Sequence, residues 1–160
     1  SQAKDELALN FFMNELCSTS LIQEGPRTFT GIPDWVRVKL VRAIRKYKNL
    51  PKSKLKAKFN ALRKLIEYEP SEFLVGETLI TAAIWIKNWD DGSKRVFAYS
   101  VKKLLKNVNK NNIKLIYKII HALEIAGSRY SYDTLILIKS MGYHNVINKK
   151  ITKILNAANY

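Results

Sequence analysis

The sequence predicts an all-α protein, an array of antiparallel helical hairpins, and three observations carry that expectation. Apolar residues recur at helical spacing through most of the chain, no alternating run bounded by hairpin turns argues for a sheet, and helix-stopping residues fall at regular intervals. With 160 residues, 47% of them hydrophobic, the chain suffices for one core and is too apolar to be disordered despite a formal net charge of +15.

Residues 1–33 read as an N-terminal helix and a linker. Leu9, Phe12, Met13 and Leu16 make a short amphipathic helix, and Gly25-Pro26 and Gly31 to Pro33 punctuate the connection. A terminal helix that completes the core is the first expectation for this segment, and its acidic balance also suits it to cover part of a basic surface.

Residues 34–160 read as an α-helical domain. Asp34 is placed to cap a helix with the stripe Val36, Leu40, Ile44 and Tyr47, ended by Pro51. Ser53 is placed to cap the next, where Leu55, Phe59, Leu62 and Ile66 form one face and Pro70 stops the helix. A third starts at Ser71 with Glu72 on its positive end, burying Val75, Leu79, Ala82 and Ile86 before the Asp90-Asp91-Gly92 turn, and Gly76 weakens it slightly. Ser93 opens a fourth, with the stripe Phe97, Val101, Leu104 and Val108, broken by Asn109-Lys110-Asn111-Asn112. The fifth aligns Ile113, Ile116, Tyr117, Ile120 and Leu123 and ends at Gly127, which suits a left-handed cap. Residues 131–141 and 146–157 make two more helices, with Ser131 and Asn145 at their caps and Gly142 between them.

These helix centres fall near residues 41, 61, 80, 100, 119, 137 and 152, so a helix pair recurs about every 40 residues, within the HEAT-repeat period. The run Ala122-Leu123-Glu124-Ile125-Ala126-Gly127, followed by Tyr132 to Lys139 and Val146 to Leu155, resembles the two-helix rhythm of a HEAT repeat. The resemblance holds in spacing from residue 35 to 157 and in pattern mainly over residues 110–157. It implies a right-handed solenoid of hairpins; a compact helical bundle uses the same helix lengths and loops.

Charge is segregated along the chain. Between Asp34 and Glu67 stand Arg37, Lys39, Arg42, Arg45, Lys46, Lys48, Lys52, Lys54, Lys56, Lys58, Arg63 and Lys64, with no acidic residue among them. Residues 35–64 carry a formal charge of +12 and residues 92–123 carry +8, against −5 for residues 65–91. A/T-rich codons, which favour Lys and Asn, account for the total better than for this arrangement. Like charges at such density repel one another, which points to an anionic partner. The block, aided by Lys94, Arg95, Lys102, Lys103 and Lys106, suits phosphate contact that is largely independent of base sequence, since Lys outnumbers the forked Arg by 21 to 7. Tyr47 and Tyr99 are candidates to stack on bases, although helix tyrosines are more often half-buried. The expected function is therefore a non-catalytic binding protein for nucleic acid, and the competing expectation is an interaction module for an acidic protein surface.

Trp85, Trp89, Asp90 and Asp91 form one aromatic and acidic patch. In composition alone it resembles the alkylation-repair type of HEAT-like DNA glycosylase, which sets tryptophans and an aspartate around a damaged nucleotide. Its local setting argues otherwise: the carboxylates sit in a turn that suits helix capping, and Trp85 lies between Ile84 and Ile86. His121 and His144 lack partners at metal spacing, Cys17 reads as a small buried hydrophobe, and no phosphate loop or catalytic motif is present, so neither cofactor nor metal is expected. Lys87, Lys114, Lys118 and Lys139 interrupt the most apolar segments, and Ser1 to Asn10 has no signal-peptide pattern. A cytoplasmic protein, in the host cytoplasm if viral, is the corresponding expectation.

Overall fold

Apolar stripes at helical period need a second surface to bury against, and the chain supplies it by stacking helices in two layers. The structure, a computed structural model, describes residues 1–18 and 32–160; Gly25, Pro26 and Gly31 of the expected linker lie outside them. The described residues form α1 (Gln2–Ser18), α2 (Asp34–Ile44), a 3-10 turn (Arg45–Asn49), α3 (Lys52–Tyr68), α4 (Glu72–Ile86), α5 (Asp91–Leu105), α6 (Ile113–Ala126), α7 (Arg129–Ser140) and α8 (Asn145–Ala157), with no strand among them. The fold is all-α.

Helix starts are set by side chains that accept from free backbone amides. Ser71 accepts from the Leu74 amide at 3.4 Å, and Gly127 closes α6 with φ +58°. Several other starts lie earlier than the apolar stripes suggest. Asp90, not Ser93, caps α5; Ser128, not Ser131, caps α7; and His144 Nδ1, not Asn145, receives the Val146 amide at the start of α8. The reason is that the first buried residue of a helix can follow its cap by a whole turn. Pro33 and Pro51 occupy the cap positions of α2 and α3, so Asp34 and Ser53 do not cap them.

Helices α2, α4, α6 and α8 pack side by side in one layer, and α1, α3, α5 and α7 in the other. Each helix therefore touches mainly those one or two places away in the chain. α4 is enclosed on most of its circumference. Toward α2, Thr81 Oγ1 donates to the Val41 carbonyl at 3.0 Å and Trp85 Nε1 to the Ile44 carbonyl at 3.1 Å. Toward α6 its Gly76 meets Leu115 and Lys118, and Val75, Leu79, Ala82 and Ile86 line the interior. α2 buries Val38, Val41 and Ile44, while Val36 and Leu40 are only half-buried, because the helix is held between α1 and α4 rather than against one surface. α1 buries Leu9, Met13 and Leu16 in the same core, and Glu6 lies 3.4 Å from Lys54 of α3.

Candidate anion-binding faces

The layers divide the basic run. α2 and α3 are consecutive in sequence but belong to opposite layers, so their outward residues join two separate faces. One is built on α2, α4 and α6, the other on α3 and α5.

On the first face the outward residues of α2 are Trp35, Lys39 and Arg42, at steps of four and three, and the Lys39 ammonium lies 5.0 Å from the Trp35 ring centre. Arg42 Nη2 donates to Glu77 Oε1 of α4 at 2.9 Å. Arg45, from the 3-10 turn, donates to the other Glu77 oxygen, to Thr81 Oγ1 at 2.8 Å and to the Glu77 carbonyl at 3.0 Å. Lys118 of α6 completes the group, 3.2 Å from Glu77 Oε1 and 4.1 Å from the centre of the Phe73 ring. Burial pushes the Glu77 carboxyl upward, but hydrogen bonds from these three cations override it and hold the group at about 2. The glycine leaves room for this path: a Cβ on residue 76 would stand 2.5 Å from Lys118 Cδ, so a side chain there would make the lysine shift from its present route to Glu77.

On the second face α3 and α5 pack together, and their seam is a groove of about 360 Å³ whose lining includes Lys56, Asn60 and Arg63. Its floor is Phe59 and Val96, and at its end Asp90 is bonded to Lys52 and to the Ser93 amide, which hold its carboxyl well below the usual range. Arg63 donates to Ser100 Oγ at 3.0 Å. Beyond the seam, α5 presents Arg95, Tyr99, Lys102 and Lys106 at steps of four, three and four, all exposed, and α3 presents Lys64. Lys103 sits 4.9 Å from the Tyr99 ring centre and 3.6 Å from Glu67. Among the described residues, Lys56, Lys64, Arg95, Lys102 and Lys106 have no carboxylate at ion-pair distance.

Several expected site residues lie elsewhere. Arg37 is 1% exposed and pairs through both terminal nitrogens with Glu69, at 2.6 and 3.2 Å, so it is a fold residue and cannot meet a partner. Lys46 and Lys48 are exposed on the 3-10 turn, beside the start of α1, and Lys94 is half-buried on the side of α5 that carries Ala98 and Val101. Tyr47 is 6% exposed and packs against Phe12, so it cannot stack on a base, whereas Tyr99 is 54% exposed. Trp85 is buried, and Trp89 packs edge-on to Phe59 at 5.5 Å. Sequence reasoning missed Trp35 and Phe73, and it counted Lys114 and Lys118 only within the basic stretch of residues 92–123. The signal that identifies Lys118 is Gly76, an unfavourable residue kept inside a helix.

Comparison with known proteins finds no match: no family model, no curated protein and no solved structure is similar to this chain.

Proposed function

We propose that this is a non-catalytic binding protein that holds nucleic acid by its phosphates, largely without regard to base sequence, on the α3/α5 face. The observation that carries this reading is the row of cations, on two adjoining helices, that have no carboxylate partner among the described residues. Lys56 and Arg63 stand on the seam, Lys64 on the outer side of α3, and Arg95, Lys102 and Lys106 along α5. From Arg95 to Lys106 the row runs eleven residues, about 16 Å of helix. Unpaired cations at this spacing are costly unless an extended anion neutralises them, and a phosphodiester strand is one. Tyr99, exposed within the row, offers a ring on which an unpaired base stacks.

The reading is tested by titrating binding to single-stranded and duplex DNA and RNA against salt. Neutralising about four phosphates gives a slope of log affinity on log salt of about −3 to −4 on duplex DNA. A flat response, or none, would refute it.

A further inference from the structure

We propose that the α2/α4/α6 face is a docking surface for an acidic amphipathic helix of a partner protein. It stands apart from the nucleic-acid reading because it uses different residues on the other layer.

The outward side of α4 is apolar and lies between charged flanks. Phe73 is 56% exposed, and Ile80 and Ile84, seven and eleven residues on, are only half-buried. These three lie on the side of α4 opposite the interior residues Val75, Leu79, Ala82 and Ile86. On either flank stands a basic helix: Lys39 and Arg42 of α2, with Trp35 62% exposed beside them, and Lys114 and Lys118 of α6. An apolar floor between two cationic rims complements a helix with one apolar stripe and acidic residues along both edges.

Charge complementarity and the floor together select this occupant over a phosphate strand. A phosphodiester backbone gains nothing from the apolar floor of Phe73, Ile80 and Ile84. A protein helix uses the floor, and its side-chain carboxylates reach the cationic rims. Glu77 also prepares those rims. It takes one of the five donors of Arg42, whose side chain is 52% exposed, and leaves the others in a fixed orientation for an incoming carboxylate. Ordering the guanidinium before association removes part of the entropic penalty of binding. The floor from Phe73 to Ile84 extends about 16 Å, which sets the occupant at roughly three helical turns.

The probe is a fluorescein-labelled 15-residue helical peptide with Leu at i, i+4, i+7 and i+11 and Glu along both flanks, beside a second peptide with Lys in place of every Glu. Fluorescence anisotropy of the intact protein should register the Glu peptide and not the Lys peptide. The exposed double variant Lys39→Glu/Lys114→Glu should weaken the Glu peptide about tenfold or more, because both rims change sign. Phe73→Ser should weaken it severalfold without altering net charge. Reversal of Lys64, Arg95, Lys102 and Lys106 to Glu should leave it within about twofold, since those charges lie on the other face and sites without shared partners act independently. Unchanged circular dichroism and melting temperature in each variant keep the comparison about binding. Equal binding of the two peptides, no binding up to about 1 mM, or an equal loss in the α3/α5 variant would overturn the proposal.

Discussion

The two basic faces differ in what their cations are bound to. On the α2/α4/α6 face Arg42, Arg45 and Lys118 converge on one buried carboxylate, Glu77, and exposed aromatic side chains lie among the charges. On the α3/α5 face the cations stand along the helices, and Lys56, Arg63, Lys64, Arg95, Lys102 and Lys106 have no carboxylate partner among the described residues. Net charge counts both kinds alike. A buried acid fixes the orientation of the basic residues it binds, and away from such an acid the same residue types stand unpaired along the helix.

The largest expected effect tests the structural kind at its extreme. Arg37 and Glu69 are both buried, so Arg37→Ala leaves an uncompensated carboxylate and should cost about 3–5 kcal/mol in urea denaturation. Lys64→Ala, on the exposed side of α3, should change stability by less than about 0.5 kcal/mol. Equal effects would erase the distinction between the two kinds of cation.

Acid sharpens it further. Because Glu77 is held at about 2 against an ordinary value of 4.5, its contribution to stability is fully present above pH 4.5 and is lost as the pH falls toward 2. That contribution is about 3 kcal/mol. Glu77→Gln should therefore flatten the pH dependence of the unfolding free energy between pH 5 and 2, and an unchanged profile would show that the cations do not hold this carboxylate.

Smaller effects concern the supports of each face. Asp90→Ala removes the α5 cap next to the seam and should destabilise by about 1 kcal/mol, whereas Asp91→Asn, in the first turn beyond it, should stay within about 0.5 kcal/mol. Gly76→Ala should leave stability nearly unchanged, because a gain of up to about 1 kcal/mol in helix propensity is offset by displacing Lys118 from Glu77. In a Lys118→Ala background the full gain should return. A double-mutant cycle reads the difference, and additive changes would mean that Gly76 has no part in the cluster.

Periodicity made the helices from Asp34 onward legible: the expected stripe Leu55, Phe59, Leu62 and Ile66 of α3 is buried, and in α6 Ile116, Ile120 and Leu123 are buried while Ile113 is exposed and Tyr117 half-buried. Other details depend on neighbours that one helix's spacing does not contain. α2 turns Arg37 inward because Glu69 waits thirty-two residues away, and α4 is buried on several sides because α2, α3 and α6 all reach it. The density of the basic block was visible in one dimension. Its division between two faces was not, since it arises from consecutive helices entering opposite layers. The pairing of Lys118 with Glu77 and the contact of Lys118 with Phe73 were hidden for the same reason: each depends on a partner on another helix.

The central claim, that unpaired cations on the α3/α5 face hold nucleic acid, is tested most directly by the salt dependence of DNA binding in two quadruple charge reversals. One changes Lys64, Arg95, Lys102 and Lys106 to Glu; the other changes Lys39, Lys114, Lys149 and Lys153, exposed residues outside α3 and α5. Both alter net charge equally. The account predicts that the first variant loses nearly all affinity and most of its salt slope, while the second keeps a slope close to that of the parent protein. Equal losses in the two variants would show that overall charge alone attracts the nucleic acid and would contradict the assignment of a site to α3 and α5.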